Sequence, residues 1–156
     1  MDNIDVKIIK LLQHNARITV SEISSEVNLS IPAVSERLKK LEGTGAIKQY
    51  TAIVNQSYLK KDLTAIIFIS LERPKYTDSF VEFVADRDEI LECHYLAGDF
   101  DYALKIITEN TATLEKLLNK IKSVQGIRKT RTVVVLSTLK NNYSVIPENE
   151  TGSDKN

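Results

Sequence analysis

The stretch "NLSIPAVSERLKKLEGTGAIKQY", residues 28–50, decides the first half of the fold. Asn28-Leu29 makes a tight turn. Ser30 carries the hydroxyl that suits a helix N-cap, and Pro32 is tolerated in the first turn because its missing amide has no helical partner there. Val34, Leu38 and Leu41 fall at i, i+4 and i+7, which predicts one buried stripe. Gly43 or Gly45 ends the helix. Ser30, Ile31, Pro32, Ala33, Ser35, Glu36, Arg37, Lys39 and Lys40 are left for another partner.

Upstream, Ile4, Ile8, Leu11 and Leu12 recur at helical spacing. Asp2 and Asp5 suit the positive end of that helix, and Asn15 suits its stop. Thr19 or Ser21 caps a second, shorter helix with Val20, Ile23 and Val27 inward. Three short helices sharing one core predict a helix-turn-helix over residues 1–54, its motif running from Thr19 to Leu38. Ile47–Val54 reads as a strand with Lys48 at its start, and 55–62 as a linker.

From Leu63 the texture changes. Leu63–Leu71 is an apolar, β-prone run that precedes a helix marked by Phe80, Phe83 and Val84. Strands are expected at Ile90–Ala97 and Tyr102–Thr108, joined through the turn "GDFD" at 98–101. Leu114, Leu117, Leu118 and Ile121 mark a second helix with Thr111 as its cap. Ile127–Leu139 completes a β-α-β-β-α-β order, the ferredoxin-like arrangement, over 63–140. Residues 141–156 hold few apolar groups and are expected to be disordered.

Composition narrows the class. A hydrophobic content of 42% with 27% charged residues is that of an ordinary soluble protein. No run approaches a membrane span, so no membrane partner is expected. The start, Met-Asp-Asn-Ile-Asp, lacks a signal peptide's basic lead and apolar core. One cysteine, Cys93, excludes an intrachain disulfide. Together these point to the cytoplasm. The formal net charge is zero, yet residues 28–61 hold six Lys or Arg against Glu36 and Glu42, a local excess of +4. That places the basic excess in this stretch and just after it.

A helix-turn-helix lays its second helix in the DNA major groove. Ser35 and Glu36 can bond to base edges, Lys39, Lys40 and Lys48 to phosphates, and Ile31, Pro32 and Ala33 can pack on thymine methyls. Arg37 either reads guanine or, lying near the buried stripe, braces the helix. The plainer reading, a solvated face in a small bundle, fits one helix but not three in this order beside a basic patch.

The residues Ile4-Asp5, Asn15-Ala16-Arg17, Leu29-Ser30, Val34 to Arg37, Leu41-Glu42, Gly45 and Ile47 resemble the N-terminal domain of the Lrp/AsnC, or feast/famine, regulators. The likeness continues at Gly98-Asp99-Phe100-Asp101 and Thr130-Arg131-Thr132. It implies an α+β chain: a winged-type helix-turn-helix, then a ferredoxin-like domain for oligomerisation and effector binding. It further implies a sequence-specific transcriptional regulator on double-stranded DNA, with Gly98, Asp99 and Asp101, joined by Tyr95, Leu96 and Ala97, as effector contacts for an amino acid. Thr130, Arg131 and Thr132 are added to that set. Read without the resemblance, "GDFD" is a turn whose carboxylates bond local amides.

Leu63–Leu71 alternates, and its second face still carries Ile66 and Phe68. A solvated face would be polar, so a second copy is the economical cover. A homodimer, assembling further to a tetramer or octamer, would present paired helices to a pseudo-palindromic site. Three alternatives compete. One is an effector-independent protein that wraps or bends DNA; another is a sensing module without a DNA partner, which leaves the first 55 residues unexplained. The third is an RNA-binding module of the same strand order, though "DYALKIIT" lacks the aromatic pattern that stacks bases. No phosphate loop, metal-ligand cluster or paired nucleophile is present in the sequence, so neither catalysis nor a metal or cofactor is expected.

Overall fold

The computed structural model describes residues 1–148, which divide into two compact units. The first comprises Met1–Ile53 with the chain from Lys140 onward; the second is Val54–Leu139.

Three helices build the first unit: α1 (Asn3–His14), α2 (Val20–Val27) and α3 (Ile31–Gly43). Each begins where a side chain can satisfy an orphan amide. Asp2 accepts from the Asp5 amide while Asp5 returns the bond to the Asp2 amide, and Thr19 and Glu22 repeat this box on α2. Ser30 caps α3 through the Ala33 amide. Asn28 takes a left-handed φ of 54° between α2 and α3, a conformation its short polar side chain tolerates. Gly45, at φ 74°, turns the chain away after α3. Ile8, Ile23, Val27, Val34 and Leu41 form the shared core, worth roughly 1.5–3 kcal/mol per buried side chain.

Two expectations for this unit are corrected. Ile47–Val54 is not a strand, and among the described residues the unit contains no strand to pair with it. Among the described residues this segment forms no strand pairing; Tyr50, Ile53 and Val54 stay exposed, and Tyr50 instead donates to Glu42 at 3.0 Å. The segment expected to be disordered from Asn141 has no helix or strand as far as Glu148, yet it joins the first unit. Gln13 donates there to the Val145 carbonyl at 2.7 Å and to the Ser144 hydroxyl at 3.0 Å. Positions 149–156 lie outside the described residues. The expected linker, 55–62, carries a 3-10 turn at Gln56–Leu59 and groups with the second unit.

The second unit runs β1 (Leu63–Leu71), α4 (Thr77–Ala85), β2 (Ile90–Tyr95), β3 (Tyr102–Thr108), α5 (Thr111–Lys122) and β4 (Ile127–Val134). The sheet is antiparallel in the order β2-β3-β1-β4. Ala65, Ile67 and Ile69 of β1 and Tyr102, Leu104 and Ile106 of β3 face one way and pack with Phe80 of α4 and Leu114, Leu117 and Ile121 of α5. Asn110, rather than Thr111, caps α5, accepting from the Ala112 and Thr113 amides. Gly126 is required: its φ is 89°, and a Cβ there would lie 2.1 Å from the Tyr76 ring.

Strand ends differ from expectation for a pairing reason. β4 pairs only with β1, whose first residue is Leu63. After the Val135 amide reaches the Thr64 carbonyl at 2.9 Å, nothing remains to pair with 136–139. β2 closes at Tyr95 opposite Tyr102, leaving Leu96 and Ala97 in the turn.

Candidate nucleic-acid interface

A residue advances about 100° around a helix. On α3 this puts Pro32, Glu36 and Lys39 opposite the stripe of Val34, Leu38 and Leu41, with Ser35 and Lys40 on the flanks. Burial agrees. Val34 is fully buried and Leu41 nearly so, whereas Ile31, Pro32, Glu36, Lys39 and Lys40 are exposed, and Ala33 and Ser35 are half-buried. Lys48 is exposed on the segment that follows.

Two of the expected residues are engaged within the chain. The Ser30 hydroxyl serves as the helix cap. Arg37 turns back toward α1: its Nη1 donates to Asp5 at 2.6 Å and to Asp2 at 2.7 Å. This contact holds α3 against α1. Asp5 is buried, so the guanidinium compensates a carboxylate that would otherwise be costly to bury. The Asp5 amide, and then the Arg37 guanidinium, hold the Asp2 carboxyl below its usual range. Both carboxylates correspondingly push the Arg37 pKa up. Sequence spacing gives no signal for this pair, because 35 and 32 residues separate Arg37 from its partners.

The residues expected to bind an effector are brought together only in part. The neck of the turn is pinned by the Leu96 amide on the Asp101 carbonyl at 2.8 Å and by the Asp101 amide on the Ile69 carbonyl at 2.9 Å. The Asp101 carboxylate accepts from the Leu71 amide at 2.7 Å, so it ties the turn to the end of β1. Asp99, Gly98 and Tyr95 are exposed, and a Cβ at Gly98 would meet nothing within 4 Å. Thr130 pairs with Ile69 and Thr132 with Ile67, on the helix-covered side, while Arg131 pairs with Phe68 on the other. These three do not share one face.

On that other face, Ile66 lies opposite Val133 and Lys105, and Phe68 opposite Arg131 and Ala103. Phe68 stacks at 5.5 Å on Phe100, over which Lys129 sits at 5.1 Å. Glu92 accepts from Lys105 at 2.8 Å and contacts His94 at 3.1 Å. This face is therefore an apolar strip with a charged rim.

Among the described residues no group of His, Cys, Asp and Glu is placed to hold a metal ion, and no helix is long and apolar enough to cross a membrane.

A capped helix-turn-helix with one polar, basic face, joined to a four-stranded ferredoxin-like unit, defines a DNA-binding regulator with a second, sensory domain. The sequence pattern of the AsnC-type helix-turn-helix domain matches residues 1–42, and that of the Lrp/AsnC ligand binding domain matches residues 64–145. The chain belongs to the Lrp/AsnC family of transcriptional regulators. It is 40% identical over 144 residues to the leucine-responsive regulatory protein of Haemophilus influenzae, covering 90% of this chain and 86% of that one. It is 37% identical over 140 residues to the HTH-type transcriptional regulator FL11 of Pyrococcus abyssi, covering 90% and 92%. Its fold is similar to that of the Neisseria meningitidis regulator NMB0573 solved with L-Met, at TM-score 0.87 and 31% identity, over 93% of this chain and 96% of that one.

Proposed function

We propose that this regulator binds pseudo-palindromic duplex DNA by laying α3 in the major groove. The observation that carries the reading is the outward face of Pro32, Glu36 and Lys39, opposite the buried stripe and with no side-chain hydrogen bond or ion pair among the described residues. Ser35 and Glu36 read base edges, Ile31, Pro32 and Ala33 pack on thymine methyls, and Lys39, Lys40 and Lys48 bind phosphates. Ser30 and Arg37 act from behind, by capping and bracing the helix.

The partner on the apolar strip of Ile66, Phe68 and Val133 is a second copy of the chain. Val133 is 42% exposed and lies opposite Ile66 on the sheet face away from the helices, an apolar strip that a second sheet would cover. Dimers assemble further, to tetramers or octamers. The effector is an amino acid at the Tyr95–Asp101 turn, where Asp99 accepts the ammonium and turn amides donate to the carboxylate. The leucine-responsive name of one relative and the L-Met held by another support that chemistry. Binding there changes the relative stability of two assemblies and so the spacing of the α3 helices. The cytoplasm is where such a regulator would act.

A gel-shift competition tests the central role. Unlabelled duplex DNA should displace a labelled duplex from the full chain, and single-stranded RNA of equal length should not. Equal displacement by RNA would favour the RNA-binding reading.

A further inference from the structure

Asn15-Ala16-Arg17, between α1 and α2, is a part of the first unit to which the α3 face gives no duty. Its backbone is held at both ends. The Asn15 side chain accepts from the Arg17 amide at 3.0 Å, and the Asn15 carbonyl accepts from the Ile18 amide at 3.1 Å, a local turn of the kind asparagine favours. Ile18 packs against the shared core, and Thr19 then caps α2. The Arg17 Cα is therefore fixed to the body of the unit, while its side chain is exposed.

The guanidinium has no partner in its own chain. Among the described residues it makes no ion pair or hydrogen bond. Other cations of the unit are engaged: Lys7 donates to the Glu26 carbonyl, and Arg37 is held by Asp2 and Asp5. The carboxylate of Glu22, close by in sequence, accepts from both the amide and the hydroxyl of Thr19 at 2.7 Å, so it is drawn onto the end of α2. A guanidinium displayed from a rigid turn suits a planar, two-pronged acceptor such as a phosphate.

In a helix-turn-helix the second helix lies in the major groove and the first crosses the backbone beside it. α2 ends at Val27, next to the Asn28 turn that leads into α3. Its eight residues span about 12 Å, and the major groove is about 12 Å wide. With the start of α3 in the groove, the far end of α2 and the Arg17 that precedes it come to the groove's edge.

We infer that Arg17 is a further DNA-contact residue, whose guanidinium grips a backbone phosphate flanking the groove that α3 enters. The contact carries no base preference; it fixes the register of α2, and through the shared core that of α3, on the duplex. It rests on the docking of α3 proposed above.

Fluorescence anisotropy of the full chain on duplexes selected from a random pool, over a salt series, tests this beside Lys39→Ala. Arg17→Ala should weaken binding to every duplex by a similar factor, roughly threefold to tenfold, and reduce the slope of log K against log salt by about one. The thermal midpoint should not change, and Arg17→Lys should recover the slope and most of the affinity. Replacing each phosphate in turn by a neutral methylphosphonate should reveal a flanking position at which the parent loses affinity and Arg17→Ala loses none. Unchanged affinity and slope in Arg17→Ala, with Lys39→Ala weakened, would overturn the contact and uphold the docking of α3; no loss in either variant would overturn both. A change confined to particular sequences would overturn the phosphate assignment. So would a loss that comes with a lower thermal midpoint and is not recovered by lysine.

Discussion

Arg37 and Asp5 are joined at 2.6 Å, and that contact fixes the recognition helix α3 against α1. The carboxylate is buried and the guanidinium about two-thirds so, which makes the pair more costly to break than a surface salt bridge. Arg37→Ala should lower the stability of the first unit by about 2–3 kcal/mol, since it strands a buried charge. Urea unfolding followed by helical circular dichroism reads this. Its effect on DNA should be a loss common to all sequences. Unchanged stability with altered preference at guanine would return Arg37 to the bases.

Asp2 titrates below its ordinary value because the Asp5 amide, and secondarily Arg37, favour its charged form. The unfolded chain binds its proton first as pH falls, so the stabilisation is complete above the ordinary carboxylate value, about 3.9, and is lost as pH drops through the lower folded value. Asp2→Asn should therefore destabilise the protein at pH 7 and make progressively less difference below pH 4. The urea midpoints of both proteins across pH 2–7 check this; a gap that widened in acid would contradict it.

Within the 98–101 turn the two carboxylates should separate in their effects. Asp101 holds the Leu71 amide at 2.7 Å, so Asp101→Ala should cost about 1.5–3 kcal/mol of stability, the range for a bond to a charged group. Asp99 is exposed and its side chain makes no bond among the described residues, so Asp99→Ala should leave the melting temperature unchanged and weaken amino-acid binding at the turn. Melting curves and titration of the two variants decide the matter.

Phe68→Glu should dissolve the proposed dimer. Phe68 is central to the outer sheet face, flanked by Ala103 and Arg131, and a carboxylate there would be buried on association. Sedimentation should show the variant as a monomer and the parent as a dimer or larger assembly. An unchanged assembly would place the interface elsewhere.

Local chemistry was readable because it acts over a few residues. Asn15, Thr19, Ser30 and Gly45 stop or start helices where their side chains or φ angles dictate, and β1 and β3 follow the alternation of Leu63–Leu71 and Tyr102–Thr108. Features that need a distant partner were not. Ile47–Val54 has strand composition but no ladder among the described residues. Residues 136–139 outrun β1. Gln13 finds Ser144 across 131 positions. The exposed face of α3 was legible, yet the contact of Arg37 with α1 and the bond from the Leu71 amide to Asp101 were not.

The central claim is that the polar face of α3 lies on DNA, and Lys39→Ala tests it most directly. Fluorescence anisotropy of the full chain against a panel of duplexes, over a series of salt concentrations, separates phosphate contact from base reading. The account predicts weaker binding to every duplex by a similar factor, with the slope of log K against log salt reduced by about one. An unchanged affinity and slope, or a change confined to particular sequences, would contradict the placement of Lys39 on the phosphate backbone and with it the docking of α3.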